Sequence, residues 1–551
     1  MARVRLRSRP PRRPPEDWLL PGGSGRWTTV GNLDSPERAV VDDRGLVAIA
    51  GRCWSLDWWI GAEDRWHVPA REVAVRQTLV GDSPVVTTRW RVPSGDAVQR
   101  VYGARGPAGE DVLVVEVHND TKVPFALTLA VRPYDLTGGG RIDAVGLEGT
   151  TVMVDDAPVI SLPRSPGRMA LSADGGDAAS VVFAGDAQPV AAAAVRDPDG
   201  LANAALLFPL AHTATLRVVL PMSPASGVDP AQMPSAAQVA SGWAVHARRA
   251  ARFEVPNRKL RGAVTASIRY LLLAAGDPRV GAGLDVAGLA DEAAACLLAD
   301  PTALARTNQP GAALHALGQH WALTRDLDIA KGSVPIVAAL VPRLERAGAP
   351  DEPDRELGRR ALGWIADLLD AAGEARAARD VRTLLAPTPL APTPPPEPSL
   401  DAIEAMLRSA SPTWTWTSGL VGHDLTRNAD LLTCVRHLLL EDVDGGLALS
   451  PVVPEAWLGQ GWEVHDAPTE RGRLSYAIRW HGDRPALLWE LDPHPGLGAA
   501  RITVPGLDVA WSTTEPRGEV LLAPVAVPER PSPRRRLSIP VTVEPMRRPP
   551  P

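Results

Sequence analysis

The spacing of apolar residues changes twice along this chain of 551 residues. Up to about residue 250, apolar and polar residues alternate in short runs broken by Gly, Pro, Asn and Asp, which is typical of strands. From Val255 to Asp442, apolar residues recur every three or four positions and predict amphipathic helices. From Gly445 the alternating pattern returns. The order of elements is therefore β, then α, then β.

This order predicts a multidomain α and β protein with an N-terminal β-sandwich, a helical domain and a small C-terminal β domain. The predicted bounds are 1–15 for an Arg/Pro tail, 16–254 for the sandwich, 255–442 for the helical domain, 443–529 for the C-terminal β domain and 530–551 for a second Arg/Pro tail. The proline-rich residues 387–398 predict a stiff spacer inside the helical domain.

Individual elements follow from the same patterns. The strands predicted in the sandwich include Ser83–Val92, Asp111–His118, Phe125–Arg132, Ser180–Ala184 and Ala214–Leu220. About eight helices are predicted: Lys259–Ala275, Asp285–Leu298, Ala312–Thr324, Val334–Ala347, Glu352–Ala372, Glu374–Leu385, Leu400–Ser409 and Asn428–Glu441. The strands predicted after them are Leu474–Trp480, Ala486–Leu491, Arg501–Val504 and Glu519–Leu522.

The charge distribution argues against several classes of partner. The net charge is −6, although each tail carries six arginines and the two tails together contain one acid, Glu544. The rest of the chain is therefore strongly acidic, and we predict no nucleic-acid partner. The tails are predicted to be disordered ends, with contact to phosphate or anionic lipid as the alternative. No apolar run is long enough to predict a membrane span.

Cofactor and metal motifs are also missing from the sequence. Cys53, Cys296 and Cys434 are far apart and have no zinc-ligand spacing. There is no P-loop, no nucleophile elbow and no dinucleotide fingerprint. The first fifteen residues lack the apolar stretch of a secretory signal. We therefore predict a cytoplasmic protein that needs no metal and no cofactor.

Two segments carry a resemblance to a known family. Leu447–Leu458 has the sequence Leu-Ala-Leu-Ser-Pro-Val-Val-Pro-Glu-Ala-Trp-Leu and is followed by Trp462–Tyr476. Together with the β–α–β order, this run resembles the segment by which six-hairpin glycosidases leave their last helix and enter a closing β domain. Gly311–Trp321 is similar to an inner helix of the glucoamylase-like members.

The resemblance implies an (α/α) toroid of paired helices and a carbohydrate ligand. The family toroid has twelve helices, and the helical region here predicts about eight, so we expect an incomplete toroid. An incomplete ring would leave apolar helix faces exposed, and another copy of the chain could cover them. The expected assembly is therefore a homo-oligomer.

A glycosidase needs two carboxyl groups across the scissile bond, one of them a proton donor with a raised pKa. Asp424 is one candidate, because it follows Trp414 and Trp416 in a loop where the rings could stack on a sugar. The alternative is that Asp424 or Asp430 caps the next helix. A second group of candidates lies in the loop that enters the C-terminal β domain and consists of Glu463, His465, Asp466 and Glu470. Glu463 and Asp466 are the catalytic candidates among them, and a solvated turn held by salt bridges is the alternative.

The tryptophan-rich segment Trp54–His67 is the strongest candidate for sugar binding. A GC-rich genome explains 17 Trp against 4 Phe and 4 Tyr, but it does not explain four Trp within this one segment. The indole rings offer apolar platforms to sugar faces, and acids beside them could accept hydroxyl hydrogen bonds. The predicted binding residues here are Trp54, Asp57, Trp58, Trp59 and Glu63. The alternative is a Trp-rich sandwich core or a seam between domains.

The resemblance leaves two functions open. The first is a glycoside hydrolase that cuts an oligosaccharide with a carboxylate pair. The second is a catalytically degenerate relative that binds a glycan or serves as a scaffold. A glycoside phosphorylase ranks last, because the helical region shows no clustered basic, His and Ser turn that would hold phosphate.

Overall fold

The computed structural model describes residues 18–19, 25–33, 35–136, 138–190, 193–223, 227–274, 276–346, 352–385, 400–417 and 422–527. The predicted tails at 1–15 and 530–551 and the predicted spacer at 387–398 lie outside these residues. Among the helices of the described residues, none combines the length and the apolar character needed to cross a membrane.

The N-terminal part of the described chain is built mainly from strands. These are β1 (Trp27–Gly31), β2 (Arg38–Asp42), β3 (Val47–Ile49), β4 (Ser55–Gly61), β5 (Trp66–His67), β6 (Arg76–Leu79), β7 (Val85–Val92), β8 (Gly95–Arg105), β9 (Asp111–Thr121), β10 (Phe125–Arg132), β11 (Ala144–Glu148), β12 (Thr151–Val154), β13 (Ala157–Ser161), β14 (Arg168–Ser172), β15 (Gln188–Pro189), β16 (Ala194–Arg196), β17 (Asn203–Leu210) and β18 (Thr215–Pro221). Two helices, α1 (Ala178–Ala184) and α2 (Ala236–His246), accompany them.

These strands form two antiparallel sheets. One has the order β1-β2-β3-β4-β10-β17-β14-β15, with β5 paired to β4, and the other has the order β16-β11-β12-β13-β18-β9-β8-β7-β6. Strand β10 pairs with β4 on one side and β17 on the other, so that Leu129 lies opposite both Trp58 and Leu206. Apolar side chains from both sheets make one shared core, as the predicted sandwich requires.

One predicted strand is a helix. Ser180–Ala184 was expected to continue the sandwich, but it forms most of α1. The Asp177 side chain caps this helix by accepting the amide of Ala179, and Gly185 ends it with a φ of 82°. The strand prediction was wrong because a short apolar run fits either element, and the capping residues decided between them.

Helices dominate the middle of the chain. Those described are α3 (Arg258–Leu271), α4 (Pro278–Val286), α5 (Ala290–Leu297), α6 (Pro301–Ala305), α7 (Pro310–Thr324), α8 (Leu327–Arg346), α9 (Glu352–Ala371), α10 (Ala375–Thr383), α11 (Leu400–Ser409) and α12 (Leu425–Leu439). The single helix predicted for Asp285–Leu298 is wrong, because Gly288 takes a φ of 73° and separates α4 from α5. Its amide donates to the carbonyl of Asp285 at the end of α4.

Helices α7 and α9 meet at two glycines. Asp354 of α9 accepts the amides of Gly311 and Ala312, both at 2.8 Å, and so satisfies two donors at the start of α7. A Cβ placed on Gly358 would lie 2.7 Å from the Cα of Gly311. The two backbones therefore approach more closely than a residue with a Cβ atom would allow at either glycine. This contact sets the position of α7 beside α9.

We expect Gly311→Ala to destabilise the protein by about 1–3 kcal/mol, as overpacking usually does. The added methyl would lie 1.6 Å from the backbone oxygen of Asp354, so one helix must move. The free energy of unfolding in urea measures this effect. Gly332→Ala in α8 is the matched control, because its methyl meets no atom within 4 Å and alanine favours a helix. Equal stability of the two variants would contradict the close approach.

The C-terminal strands complete the molecule. A short strand, β19 (Arg252–Glu254), precedes the helices, and the others are β20 (Leu440–Val443), β21 (Gly446–Leu449), β22 (Trp462–Thr469), β23 (Gly472–His481), β24 (Arg484–Pro493), β25 (Arg501–Val504), β26 (Asp508–Thr513) and β27 (Arg517–Leu521). They form the sheets β19-β22-β23-β24-β27 and β20-β21-β25-β26. The predicted fold class, antiparallel sheets followed by helices and then by a C-terminal β region, is confirmed.

Candidate functional site

A cavity of about 590 Å³ lies among the helices, beside the turn that joins β22 to β23. Helices α4, α7, α9, α11 and α12 line it together with β20. Its volume is in the usual range for a small-molecule site. The aromatic and titratable side chains around its interior include His315, Trp364, Asp430, His437, Glu441, Asp442 and Glu470.

Glu470 is held in the cavity wall by a chain of hydrogen bonds. Trp364 of α9 donates its Nε1–H to Oε1 of Glu470 at 3.0 Å. The amide of Glu470 donates to Oδ1 of Asp442 at 2.9 Å, and Arg436 donates to Oδ2 of Asp442 at 2.5 Å. Burial, followed by the charge of Asp442, raises the pKa of Glu470. The arrangement therefore orients a carboxyl group and favours its protonated form.

Two more carboxyl groups reach the cavity from other elements. Asp430 lies on α12, and burial raises its pKa, although the charges of Arg279 and Arg427 oppose that shift. Glu441 lies on β20, and burial raises its pKa as well, against the charge of Arg436. The cavity thus gathers three carboxyl groups whose ionised forms are disfavoured for the same reason, the loss of water around them.

The histidines of the cavity are uncharged at neutral pH. Burial lowers the pKa of both His315 and His437 to about 4. The ring of His315 stands edge-on to that of Trp364, with 5.7 Å between the ring centroids. A neutral imidazole both donates and accepts, which suits it to a hydroxyl group. The half-buried indole of Trp364 adds an apolar face against which a sugar ring could pack.

The sequence-predicted catalytic residues lie elsewhere. Asp424 caps α12, where its Oδ1 accepts the amide of Thr426 at 3.1 Å. Glu463 lies on β22 with its Oε2 at 3.0 Å from Nε2 of His465, and it also contacts Arg479. Asp466 is an exposed residue at the register shift of the same strand, with a φ of 55°. None of the three is among the residues described as lining the helical cavity.

The predicted tryptophan platform is buried, with Trp54 and Trp58 in the sandwich core and Trp59 in a separate apolar cluster beside α1. Trp58 and Trp59 are 0% exposed, and Trp54 is also buried. Oδ2 of the buried Asp57 accepts Nε1–H of Trp59 at 3.0 Å, and its Oδ1 accepts the amide of Trp58 at 2.8 Å. The indoles therefore present no surface to a ligand in this structure, which agrees with the alternative of a Trp-rich core. Glu63 is exposed beyond the end of β4.

We expect Trp58→Ala to lower stability by about 3–5 kcal/mol and to leave sugar affinity unchanged. Trp58 lies between the two sheets against Trp90, with 3.6 Å between ring centroids, so its removal opens a large cavity. Trp364→Ala is the reciprocal variant and is expected to weaken sugar binding with a smaller loss of stability. Melting temperature and calorimetric sugar affinity, measured on both, test the pair. A sugar affinity lost in Trp58→Ala at a temperature where the variant is folded would favour the platform instead.

Trp414 and Trp416 are near each other in sequence but lie in different surroundings. Trp416 is buried, and its Nε1–H donates to the carbonyl of Met406 at 3.1 Å. Trp414 is half-buried and lines a second cavity, on the outer side of α3, with its backbone at a φ of 60°. Neither ring borders the cavity that holds Glu470.

The residues of the helical cavity have a signal in the sequence. Asp430, Thr433, Cys434 and His437 recur at intervals of three or four residues on α12, so that they form a polar stripe on one face. Leu357, Arg360 and Trp364 follow the same spacing on α9, and His315 and Gln319 do so on α7. Rows of this spacing on three neighbouring helices place their side chains on one face of each helix, as a cavity shared by the three requires.

The described residues offer no group of three or more His, Cys, Asp or Glu side chains suited to a metal ion. His320 instead pairs with Asp285, where Nδ1 and Oδ1 are 2.8 Å apart and both side chains are buried between α4 and α7. This pair is a contact between two helices.

The comparisons with known proteins give no family. No protein-family model and no curated protein matches the sequence. Among solved structures, one similar chain is described as "Putative kojibiose phosphorylase from human microbiome". The alignment covers 90% of this chain and 92% of that chain, at 9% sequence identity and a TM-score of 0.42.

Proposed function

We propose that the protein binds a carbohydrate in the helical cavity and cleaves a glycosidic bond there by hydrolysis. The observation that carries this proposal is the gathering of Asp430, Glu441 and Glu470 from three separate elements around one cavity that also holds Trp364. Burial raises the pKa of each of these carboxyl groups. Glycoside cleavage needs one carboxylic acid that remains protonated and one carboxylate.

Glu470 is the proposed proton donor. Its pKa is raised, and the hydrogen bond from Trp364 to its Oε1 leaves Oε2 to carry the proton toward a glycosidic oxygen. Asp430, on a different element, is the proposed second carboxyl group, because Arg279 and Arg427 line the same cavity and their charges oppose the rise in its pKa that burial causes. The neutral His315 and His437 would exchange hydrogen bonds with sugar hydroxyls.

The first experiment is a panel of α- and β-linked oligosaccharides incubated with the full chain, with and without inorganic phosphate. Release of free sugar without phosphate supports hydrolysis. Release only with phosphate, as a sugar phosphate, would replace hydrolysis by phosphorolysis at the same cavity, with the cavity arginines Arg279 and Arg427 as candidate phosphate ligands. Sugar binding by calorimetry without turnover would establish the degenerate binder. Neither binding nor turnover on any substrate would refute the carbohydrate proposal.

A further inference from the structure

A second cavity, of about 630 Å³, has a charged lining that is mainly cationic. It lies between the start of α3, the strand β19 and the segment after α2. Two acids, Asp82 and Glu254, also line it. Its cationic side chains are Arg248, Arg252, Arg258, Lys259, Arg261 and Arg269. This concentration of positive charge stands out in a chain whose net charge is −6.

Most of these cations are not neutralised within the described part of the chain. Arg261 pairs with Glu254 at 3.5 Å, and both side chains are about half exposed. No ion pair to Arg248, Arg252, Arg258 or Lys259 is formed by the residues described. Three of the cations lie in the first turn of α3, which contains no acid, so their charge adds to the positive end of the helix dipole. A bound anion would offset both the unpaired charge of these side chains and the positive end of the helix dipole.

Arg269 gives an independent indication of a ligand. It lines the cavity although it is only 7% exposed. One of its terminal nitrogens donates to the carbonyl of Gly81, and its Nε has no acceptor among the described residues. Burial lowers the pKa of Arg269, against the charge of Asp82. A buried guanidinium that forms no ion pair within the described part of the chain is costly, and an anion bound in the cavity would offset its charge.

Trp414 forms an apolar part of the same cavity wall. Its indole Nε1 lies 3.5 Å from the Cβ position of Gly262, which is a van der Waals distance, so the ring packs over α3 at this glycine. Its φ of 60° is rare for an aromatic residue. The amide of Trp414 donates to Ser411 at 3.0 Å, and its carbonyl accepts from Asn428 at 3.1 Å. These bonds hold the strained backbone and keep the ring at the cavity.

We propose that this cavity binds a small phosphorylated molecule whose ring lies against Trp414. Guanidinium groups match phosphate oxygens in geometry, and a phosphate monoester carries close to two negative charges at neutral pH. The volume suits a molecule of nucleotide or sugar phosphate size. The net charge of −6 disfavours a long polyanion, because the chain as a whole would repel it. The site is separate from the cavity of Glu470 and does not depend on the function proposed for it.

Calorimetry of the full chain tests the proposal with ADP, glucose 6-phosphate and pyrophosphate, and with adenosine and glucose as uncharged probes. We expect ADP or glucose 6-phosphate to bind, and the affinity to fall with added salt. Which of the two binds more tightly decides between a nucleotide and a sugar phosphate. The double variant Arg252→Gln, Lys259→Gln should weaken binding at least tenfold, since both side chains are exposed and neither supports the fold.

The control is Arg196→Gln, Arg408→Gln, which removes two exposed cations that lie outside the cavity. Trp414→Ala should weaken ADP or glucose 6-phosphate severalfold and leave pyrophosphate unchanged. The proposal fails if no phosphate probe binds, if the control pair weakens binding as much as the cavity pair, or if the uncharged probes bind equally well. It also fails if Trp414→Ala has no effect, or if a single-stranded oligonucleotide binds more tightly than every small probe.

Discussion

Glu470→Gln is expected to reduce glycosidic-bond cleavage by about 10²–10⁴-fold, the usual contribution of a general acid. Glutamine has the same shape, and its amide oxygen can still accept the Nε1–H of Trp364. What it loses is the transferable proton. The variant should therefore keep its melting temperature and sugar affinity, while kcat falls. Asp430→Asn should also lose turnover, since it removes the second carboxylate of the proposed pair.

The controls for this prediction come from the residues that the sequence pointed to first. Glu463→Gln makes the same chemical change on β22, and Asp424→Asn does so for an aspartate at the start of α12. Both should retain turnover if the helical cavity is the active site. If either of them abolishes cleavage and Glu470→Gln does not, the catalytic group lies at the sequence-predicted position and the cavity proposal is wrong.

The arrangement of the fold was predictable because the two periods of hydrophobicity differ and extend over long stretches. Strand β10 and helix α7 illustrate this, since Phe125–Arg132 was predicted with the bounds observed and Ala312–Thr324 lies within Pro310–Thr324. Short elements were less predictable. The helix at Ser180–Ala184 depends on one capping residue, and the break at Gly288 depends on one residue with a left-handed backbone. A periodicity averaged over many residues does not detect either of them.

The candidate site was harder to predict than the fold. A search for aromatic residues beside acids leads to Trp58 and Trp59, and both are buried. The indole of Trp58 lies between the two sheets, and that of Trp59 packs in a separate cluster beside α1. The pairing of Trp364 with Glu470 joins residues that are 106 positions apart in the chain. Each helix carries its own row of cavity residues, but only tertiary packing shows that these rows face one another. Burial, and hence the raised pKa of the carboxyl groups, follows from that packing.

Asp42→Asn is expected to flatten the dependence of stability on pH between about pH 4 and pH 8. Asp42 ends β2 and is 2% exposed, and its Oδ1 accepts the amides of Arg44 and Leu46 at 2.8 and 2.7 Å. Burial, with a smaller contribution from the charge of Asp43, raises the pKa of Asp42 to about 8. The ordinary value, which applies to the unfolded chain, is 3.8.

The sign of the effect follows from proton binding. Between these two pKa values the folded protein holds a proton that the unfolded chain has released, so the free energy of unfolding falls as the pH rises. Each pH unit costs up to about 1.4 kcal/mol, and this stabilisation is complete below about pH 4 and lost above about pH 8. Asparagine cannot ionise, and its side-chain oxygen can still accept the two amides.

Urea unfolding at pH 5 and pH 8 measures the difference. The stability of wild type should fall between the two values by more than that of Asp42→Asn, so that the variant gains relative to wild type at pH 8. Asp444→Asn, in the exposed turn between β20 and β21, controls for the loss of an acid and should follow wild type. If Asp42→Asn follows wild type as well, Asp42 is already ionised in the folded protein. The amides of Arg44 and Leu46 would then stabilise its charge more strongly than burial opposes it.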